Sequence, residues 1–450
     1  MVDNRLDFLD QASFLRLRAS GIESVLQVSW YYDRPVDLDG VAKVNEGLTH
    51  GLLGRRIERS PLPFGRPRWV ACPDAPPINV TTTALTRDGL SQWLDECSQI
   101  PVDPEFGPCW HFNVVPLEHG GSAVSLVASH TVADAAGLAL MLFEAIYGIK
   151  RDLGYPPPRS RPLLHAVFAD LWDAIRGLPA VFAAIIATIM LLVRRDTTTT
   201  AGSQSANHTP LRPAVAQEEN YVPPSITAYV DLQLWDSRAE DLGVSSNVLF
   251  IAMSTKLAQI VGRVSAIDGS VTIMVPVSQR APEDTTGNML TAATFAIDPD
   301  HAIVDPEIVR GAMKQALADL TTTPNELLKP LPLVPYTPKW LARRMQDLAM
   351  STDELPVCCS NLHDAGQALV FLDGVSNADY AGARMVNRGV TRSALERQHG
   401  ELYLFSGRAA GQIFFFVSAY IPGADNTKDA LRAVLDQAIT EYGLVVQRFE

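Results

Sequence analysis

Ser129-His130-Thr131-Val132-Ala133-Asp134-Ala135-Ala136-Gly137 is the stretch on which the reading of this chain turns. It closes an apolar run, residues 122–129, that reads as a strand, and opens residues 134–147, which read as a helix. A histidine at such a strand end can be presented at the floor of a cleft. An aspartate four residues on lies about one helical turn away, where a carboxylate also suits the helix dipole. Alone the pattern is weak: with nine histidines, a chain of this composition holds an HxxxD by chance roughly every second time. Its weight comes from what surrounds it.

Working outward, residues 110–116 read as a second strand, joined to the first by EHGG at 118–121, whose glycines can take positive φ and close a hairpin. Residues 25–31 read as a further strand, and Leu38, Val41, Val44, Leu48 and Leu52 recur on one helical face. In the second half, strands are expected at 227–231, 271–277, 367–373, 380–386, 401–405 and 412–419, and helices at 245–261, 306–320 and 426–441. Between the halves lie 16 uncharged residues, 178–193, flanked by Arg176 and by Arg194-Arg195. They fall short of the roughly 18–20 that span a bilayer. The first reading is a buried or inter-lobe helix, the second a membrane-surface helix and the last a span. Residues 196–220, rich in Thr, Ser, Pro, Ala and Gln, have the composition of a solvated linker. The expected organisation is an α+β lobe over 1–175 carrying the HxxxD, an apolar helix and crossover linker over 176–220, and a second α+β lobe over 221–450. Each lobe is a mixed sheet with packed helices, and ligand sites favour the cleft between such lobes.

Composition narrows the function. A chain of 450 residues with 47% apolar content can fill two or three cores. With 37 basic against 50 acidic residues and a net charge of −13, it lacks the basic stripe that nucleic-acid binding needs. Its five cysteines (Cys72, Cys97, Cys109, Cys358, Cys359) form no CxxC pair, so neither a disulfide framework nor a thiolate metal site is suggested. No bound cofactor, metal or phosphate-cradling loop is indicated. The N-terminus lacks the pattern of a signal peptide, and a cytoplasmic protein is expected, with membrane or lipid-droplet association as a further possibility raised by residues 178–193.

The order of short motifs carries a resemblance. Arg5-Leu6, Asp10 and Phe14-Leu15, then Arg56-Ile57-Glu58-Arg59-Ser60-Pro61, Gly65-Arg66-Pro67 and Trp69-Val70, are followed by Pro108-Cys109-Trp110 and the HxxxD. In the second half come Ser246-Asn247-Val248, Val275-Pro276-Val277-Ser278 with Arg280, Gly287-Asn288, Ser360-Asn361 and Gly382-Ala383-Arg384. Together these resemble the wax ester synthase/diacylglycerol acyltransferase family, within the superfamily of CoA-dependent acyltransferases and peptide-synthetase condensation domains. The chain departs from that pattern at Ser129, in place of the first motif histidine, at Ala135, in place of the motif glycine, and at Val248, in place of an aspartate.

The resemblance implies two chloramphenicol-acetyltransferase-like lobes with the active site in a cleft or tunnel between them, and transfer of a fatty or other acyl group from acyl-CoA to an alcohol. His130 is the expected general base, since a histidine can accept a hydroxyl or amine proton at neutral pH. Asp134 is expected to orient it, paired with Arg56, or with Arg55 in reserve. Asn288 and Asn361 are the candidate oxyanion donors, with turn capping as the plainer reading. Trp110, Ser129 and Gly137 complete the expected substrate wall, with core packing as the alternative for Trp110. Cys358 and Cys359, adjacent on a strand, cannot face one site and read as core; His363 could enter the cleft. Two rivals stand beside this reading: a natural-product or condensation-like acyltransferase using a carrier-bound thioester or an amine acceptor, and a non-catalytic acyl- or lipid-binding protein.

Overall fold

The computed structural model describes residues 3–202, 219–281, 283–322, 328–349 and 355–450. In the first half the strands are β1 (Glu23–Tyr32), β2 (Arg55–Glu58), β3 (Arg68–Ala71), β4 (Asn79–Val80), β5 (Trp110–Pro116) and β6 (Ser122–Ser129). In the second they are β7 (Ser225–Asp231), β8 (Val271–Ser278), β9 (Leu290–Ile297), β10 (Val357–Asn361), β11 (Tyr380–Arg388), β12 (Glu401–Ala409), β13 (Gln412–Tyr420) and β14 (Arg448–Phe449). A five-stranded sheet runs β11-β1-β6-β5-β4 and a seven-stranded sheet β14-β7-β13-β12-β10-β8-β9; β2 and β3 form a separate ribbon. Both sheets are mixed, with β4 parallel to β5 in the first and β10 parallel to β8 and β12 in the second. The α+β class expected from the sequence is the class observed.

The hairpin of β5 and β6 is buried on both faces, and its residues alternate between two cores. Val124, Leu126 and Ala128 face the large core that also takes the helix Ala135–Ile146, while Ala123 and Val127 face a smaller one closed by the helix Leu90–Gln99. This period of two, with both faces covered, is why the strand reads as an unbroken apolar run. It also delivers His130 to the strand end, where the chain must turn into the helix.

The lobes are not consecutive stretches of chain. β11, from the second half, pairs with β1 along its length, from Glu23 opposite Arg388 to Tyr31 opposite Tyr380. The expected boundary at 221 therefore fails for this strand, because β1 needs a neighbour on its outer side and the second half supplies it. Trp30 Nε1 donates to the Leu369 carbonyl at 2.9 Å across the same seam.

Three other expectations need correction. Residues 367–373 are not a strand: His363–Leu369 is a 3₁₀ turn packed under β12. The apolar segment is part of one helix, Leu163–Gly202, so residues 196–202 of the expected linker are helical; residues 203–218 lie outside the described residues. That helix is not buried. Its anchoring face carries Asp170, bonded by Ser60, Arg68 and Arg161, and Asp173, paired with Arg5 and Arg68. The opposite face, with Phe168, Trp172, Phe182 and Ile186, is open to solvent. By length and composition Leu163–Leu191 could cross a membrane.

Candidate active site

The motif strand ends in a tight loop in which Ser129 O accepts from the Val132 amide at 3.0 Å and the His130 amide donates to Ser24 O at 3.0 Å. Asp134 caps the next helix: its side chain accepts from the Gly137 amide at 2.7 Å, satisfying one of the free donors of the first turn. The loop between β8 and β9 comes across from the second sheet to meet it. The Asp134 amide donates to Gly287 O at 2.8 Å, and Asp10, on the helix Phe8–Ser20, accepts from the amides of Gly287 and Asn288, both at 2.8 Å. A Cβ on Gly287 would lie 2.8 Å from Asp10 Oδ1 and 3.0 Å from the carbonyls of Thr131 and Val132, so only glycine admits this approach.

Asn288 fixes the ring of His130. Its Nδ2 donates to Asp10 Oδ1 and to His130 O, both at 3.1 Å, and these two acceptors assign which end of the amide is nitrogen. Its Oδ1 therefore faces His130 Nδ1 at 3.0 Å and can only accept, which places the proton on Nδ1 and leaves Nε2 with its lone pair. Burial lowers the His130 pKa, against the opposing pulls of its own backbone, Asp134 and Asn288. The imidazole is thus neutral near pH 7, with Nε2 ready to take a proton.

Asp134 does not pair with Arg56, which lies on β2 opposite Val70. Its partner is Arg280, whose Nε and Nη2 reach the two carboxylate oxygens at 3.1 and 2.9 Å in a buried bidentate pair. With the amides of Gly137 and Met289 also donating, the carboxylate has four donors and holds the two loops together. Arg280 was quoted in the motif Val275–Arg280 without a role; only the fold brings it to Asp134. Arg55 is a second brace, donating to Val132 O at 2.9 Å and to Thr285 O, with Trp69 under its guanidinium at 3.8 Å. Burial lowers its pKa.

The remaining expected site residues are engaged elsewhere. Asn288 cannot serve as an oxyanion donor, because both its N–H groups are used as above. Asn361 donates to Asn247 Oδ1 at 2.9 Å and accepts from the His363 amide; His363 itself is exposed. Trp110 is in the core with Nε1 on Asn45 Oδ1 at 2.9 Å. Ser129, fully buried, donates to Glu23 Oε1 at 3.0 Å. A Cβ on Gly137 would lie 3.2 Å from Arg280 Cζ and 3.1 Å from Asp134 Oδ1, so this residue makes room for the ion pair. Cys359 is core, while Cys358 lines a cavity with its thiol pushed up to about 12 by burial. Among the described residues no cluster of three or more His, Cys, Asp or Glu could hold a metal.

Two cavities lie near the motif, and residues 129–134 line neither. One, between the helix Ala135–Ile146 and the first sheet, is walled by Leu26, Val28, Leu138, Leu142 and Phe405 and has about 30 Å³ of free space, enough for one or two waters. The other, of about 290 Å³, lies between β11, β12 and the helix Phe8–Ser20; its wall is largely apolar, with Val386, Leu402 and Phe416, and Arg16, Arg263 and Glu401 are set into it. Its wall is linked to the motif by hydrogen bonds: Asn387 accepts from Ser24 Oγ at 2.7 Å, and the Ser24 carbonyl holds the His130 amide.

No family model matches the sequence and no curated protein matches it. Solved structures do. The chain is similar to the first condensation domain of the CDA synthetase, with a TM-score of 0.57, 12% identity and 99% of each chain covered. It is similar to the first condensation domain of the calcium-dependent antibiotic synthetase in complex with a substrate analogue, with a TM-score of 0.56, 13% identity and 98% and 97% covered. It is also similar to polyketide synthase associated protein 5 from Mycobacterium tuberculosis, with a TM-score of 0.51, 15% identity and 98% of each chain covered. At these identities the likeness is one of fold: two lobes with mixed sheets, as in condensation domains. None of these three is described as a wax ester synthase.

Proposed function

We propose that the protein is a condensation-type acyltransferase, in which His130 Nε2 removes the proton of an amine or hydroxyl acceptor as that atom attacks the carbonyl carbon of a thioester. The C–S bond then breaks, and the proton held on Nε2 passes to the departing thiolate, so no covalent acyl-enzyme forms. The observation that carries this reading is the bond from His130 Nδ1 to Asn288 Oδ1, which fixes the tautomer a base requires. Asp134, Arg280 and Arg55 act as positioning residues: they clamp the loops that hold the ring.

The donor is a thioester cosubstrate, acyl-CoA or an acyl group on a carrier protein. A small acceptor with a charged group is favoured over a long-chain alcohol, because the roomier cavity sets Arg16, Arg263 and Glu401 into a largely apolar wall while the other cavity holds only about 30 Å³. The test is release of free thiol from acyl-CoAs of several chain lengths and from an acylated carrier protein, each offered amino acids, hydroxy acids, long-chain alcohols and diacylglycerols. Release with at least one polar acceptor, absent in His130→Ala, is expected. Release with lipid alcohols alone would restore the wax ester reading; silence across the panel together with tight acyl binding would make this a non-catalytic binding protein.

A further inference from the structure

The cavity of about 290 Å³ holds more positive than negative charge, and its cations are short of partners. Arg16 lines it, with Nε sealed from solvent and without a hydrogen-bond partner. Among the described residues the hydrogen-bond partners of Arg263, across the cavity, are the carbonyls of Pro356, His399 and Gly400, at 3.2 to 3.5 Å. Among the described residues neither guanidinium has a carboxylate within ion-pair distance. Glu401, the acidic side chain facing them, is pushed up to about 7 by burial, so near neutral pH it is only partly ionised and leaves a net positive charge on the pair of guanidiniums. A buried cation without a counter-ion is costly unless a ligand supplies one. Arg16 also stands one helical turn beyond Ser13, whose hydroxyl meets Thr131 Oγ1 at 2.9 Å, so the cation is tied to the loop that carries His130.

We propose that this cavity is the acceptor site and that it selects a small acceptor bearing a carboxylate, such as an amino or hydroxy acid, anchored by Arg16 and Arg263 with its nucleophilic atom turned toward His130. The volume sits near the lower end of small-ligand sites, about 300 Å³, and a guanidinium is the side chain suited to a planar carboxylate. The inference rests on the transferase reading above, and its test is read separately from turnover.

Calorimetric titration of the His130→Ala protein with alanine, phenylalanine and 3-phenyllactate, each beside its primary amide, should show at least one acid binding tenfold or more tighter than its amide. In Arg16→Gln that preference should collapse. Equal binding of acid and amide, read on a protein with both arginines intact, would overturn the proposal even if Arg16→Gln failed to fold. So would loss of the acid's binding when desulfo-CoA is added, since the anchored anion would then be a donor phosphate. A fall in kcat of Arg16→Gln with acid and amide alike would instead assign Arg16 to the developing oxyanion. Acid-selective binding without thiol release would sink the transferase reading and leave the site standing.

The helix Leu163–Gly202 carries a second, independent inference. Twelve large apolar side chains between Leu163 and Met190 are exposed, and at about 100° per residue they fall on one half of the helix circumference. The other half is pinned to the protein through Asp170 and Asp173. A spanning helix would have to break those ion pairs; one lying flat keeps them. The turn Leu331–Tyr336, tied to this helix by Tyr336 Oη on Ala174 O, leads into the helix Lys339–Ala349, where Trp340 and Met345 are exposed beside Lys339 and Arg344. Exposed Arg176 lies over Trp172. On a chain of net charge −13, basic and aromatic side chains bordering an apolar face fit an anionic lipid surface.

We infer that this face docks on anionic membranes. Vesicles containing phosphatidylglycerol should co-sediment the protein, neutral phosphatidylcholine vesicles far less, and a Phe182→Asp/Ile186→Asp protein, altered only on the exposed face, at least tenfold less. Equal binding to both vesicles would overturn the role of the basic residues. Resistance to alkaline extraction would show a span, and a tight dimer that ignores vesicles would show that a second copy covers the face.

Discussion

Residues 129–134 end a strand of the first sheet and carry the reacting ring; residues 279–289 connect two strands of the second sheet and carry no reacting group. Yet the ring is held by Asn288, the capping aspartate by Arg280, and the whole junction by amides that Asp10 gathers. One loop supplies chemistry and the other supplies geometry. The first is written in adjacent residues. The second is assembled from positions up to 278 residues apart, and its parts have no local signature.

The sharpest way to break this division is at the ring. His130→Ala should leave the fold intact and lower thiol release by about 10²–10⁴-fold, the usual contribution of a positioned base. A folded variant with near-native turnover would move the chemistry out of residues 129–134 altogether. The clamp should respond in the opposite currency, stability before rate. Asp134→Asn leaves a buried Arg280 unpaired and should cost about 3–5 kcal/mol, measured by denaturant unfolding. Replacing both partners, as Asp134→Leu with Arg280→Met, should recover part of that loss. If the single variant melts as the parent does while activity falls as steeply as for His130→Ala, Asp134 has a chemical part after all.

How much of this division was legible follows from the distances involved. β5 and β6 begin and end where the apolar runs and the Gly-Gly turn put them, because those signals are local. His130 was readable for the same reason. Arg56 was the wrong partner for Asp134: sequence order favoured an arginine in the same half, whereas the fold brings Arg280 from 146 residues away. Asn288 was named with the wrong role, since which amide atoms are already spent is settled only when Asp10 and His130 O stand beside it. The strand β9 escaped notice because LTAATFAI alternates small residues instead of large apolar and polar ones. Residues 367–373 misled in the other direction, being apolar for the sake of the shared core and not for sheet pairing.

A smaller effect sharpens the role of the second loop. In Asn288→Ala, Nδ1–H loses its acceptor and the ring is no longer held in one tautomer, so kcat should fall roughly tenfold, below the loss expected for the base itself, with KM little changed. Asn288 is also one of the groups that raise the His130 pKa against burial. Without it the acid limb of the pH–rate profile, already below the ordinary histidine value, should move lower still. A fall in melting temperature with an unmoved limb would make Asn288 a structural link only.

A pH-dependent effect contrasts the cavity with the first sheet. His111, on β5, is pushed down to about 4, chiefly by burial, so its folded state favours the neutral ring. Its contribution is present above the unfolded value near 6.5 and is lost as pH falls toward 4. Glu401, on β12 between Arg16 and Arg263, is pushed up to about 7 by burial, which favours the protonated acid in the fold. Its contribution is present below about 4.5 and is lost as pH rises through 7. The two therefore pull stability in opposite directions across the same window. Glu401→Gln, permanently neutral, removes only the second slope. Relative to the parent, the variant should be more stable at pH 8 than at pH 5 by on the order of 2–3 kcal/mol, the worth of nearly two pKa units between those pH values. A carboxylate-bearing ligand should act on the same balance from the other side. By adding an anion beside the two guanidiniums it makes ionised Glu401 costlier still, so its binding should weaken above pH 7 in the parent and hold in Glu401→Gln. Equal pH dependence in both proteins would place the anion away from Glu401 and out of this cavity.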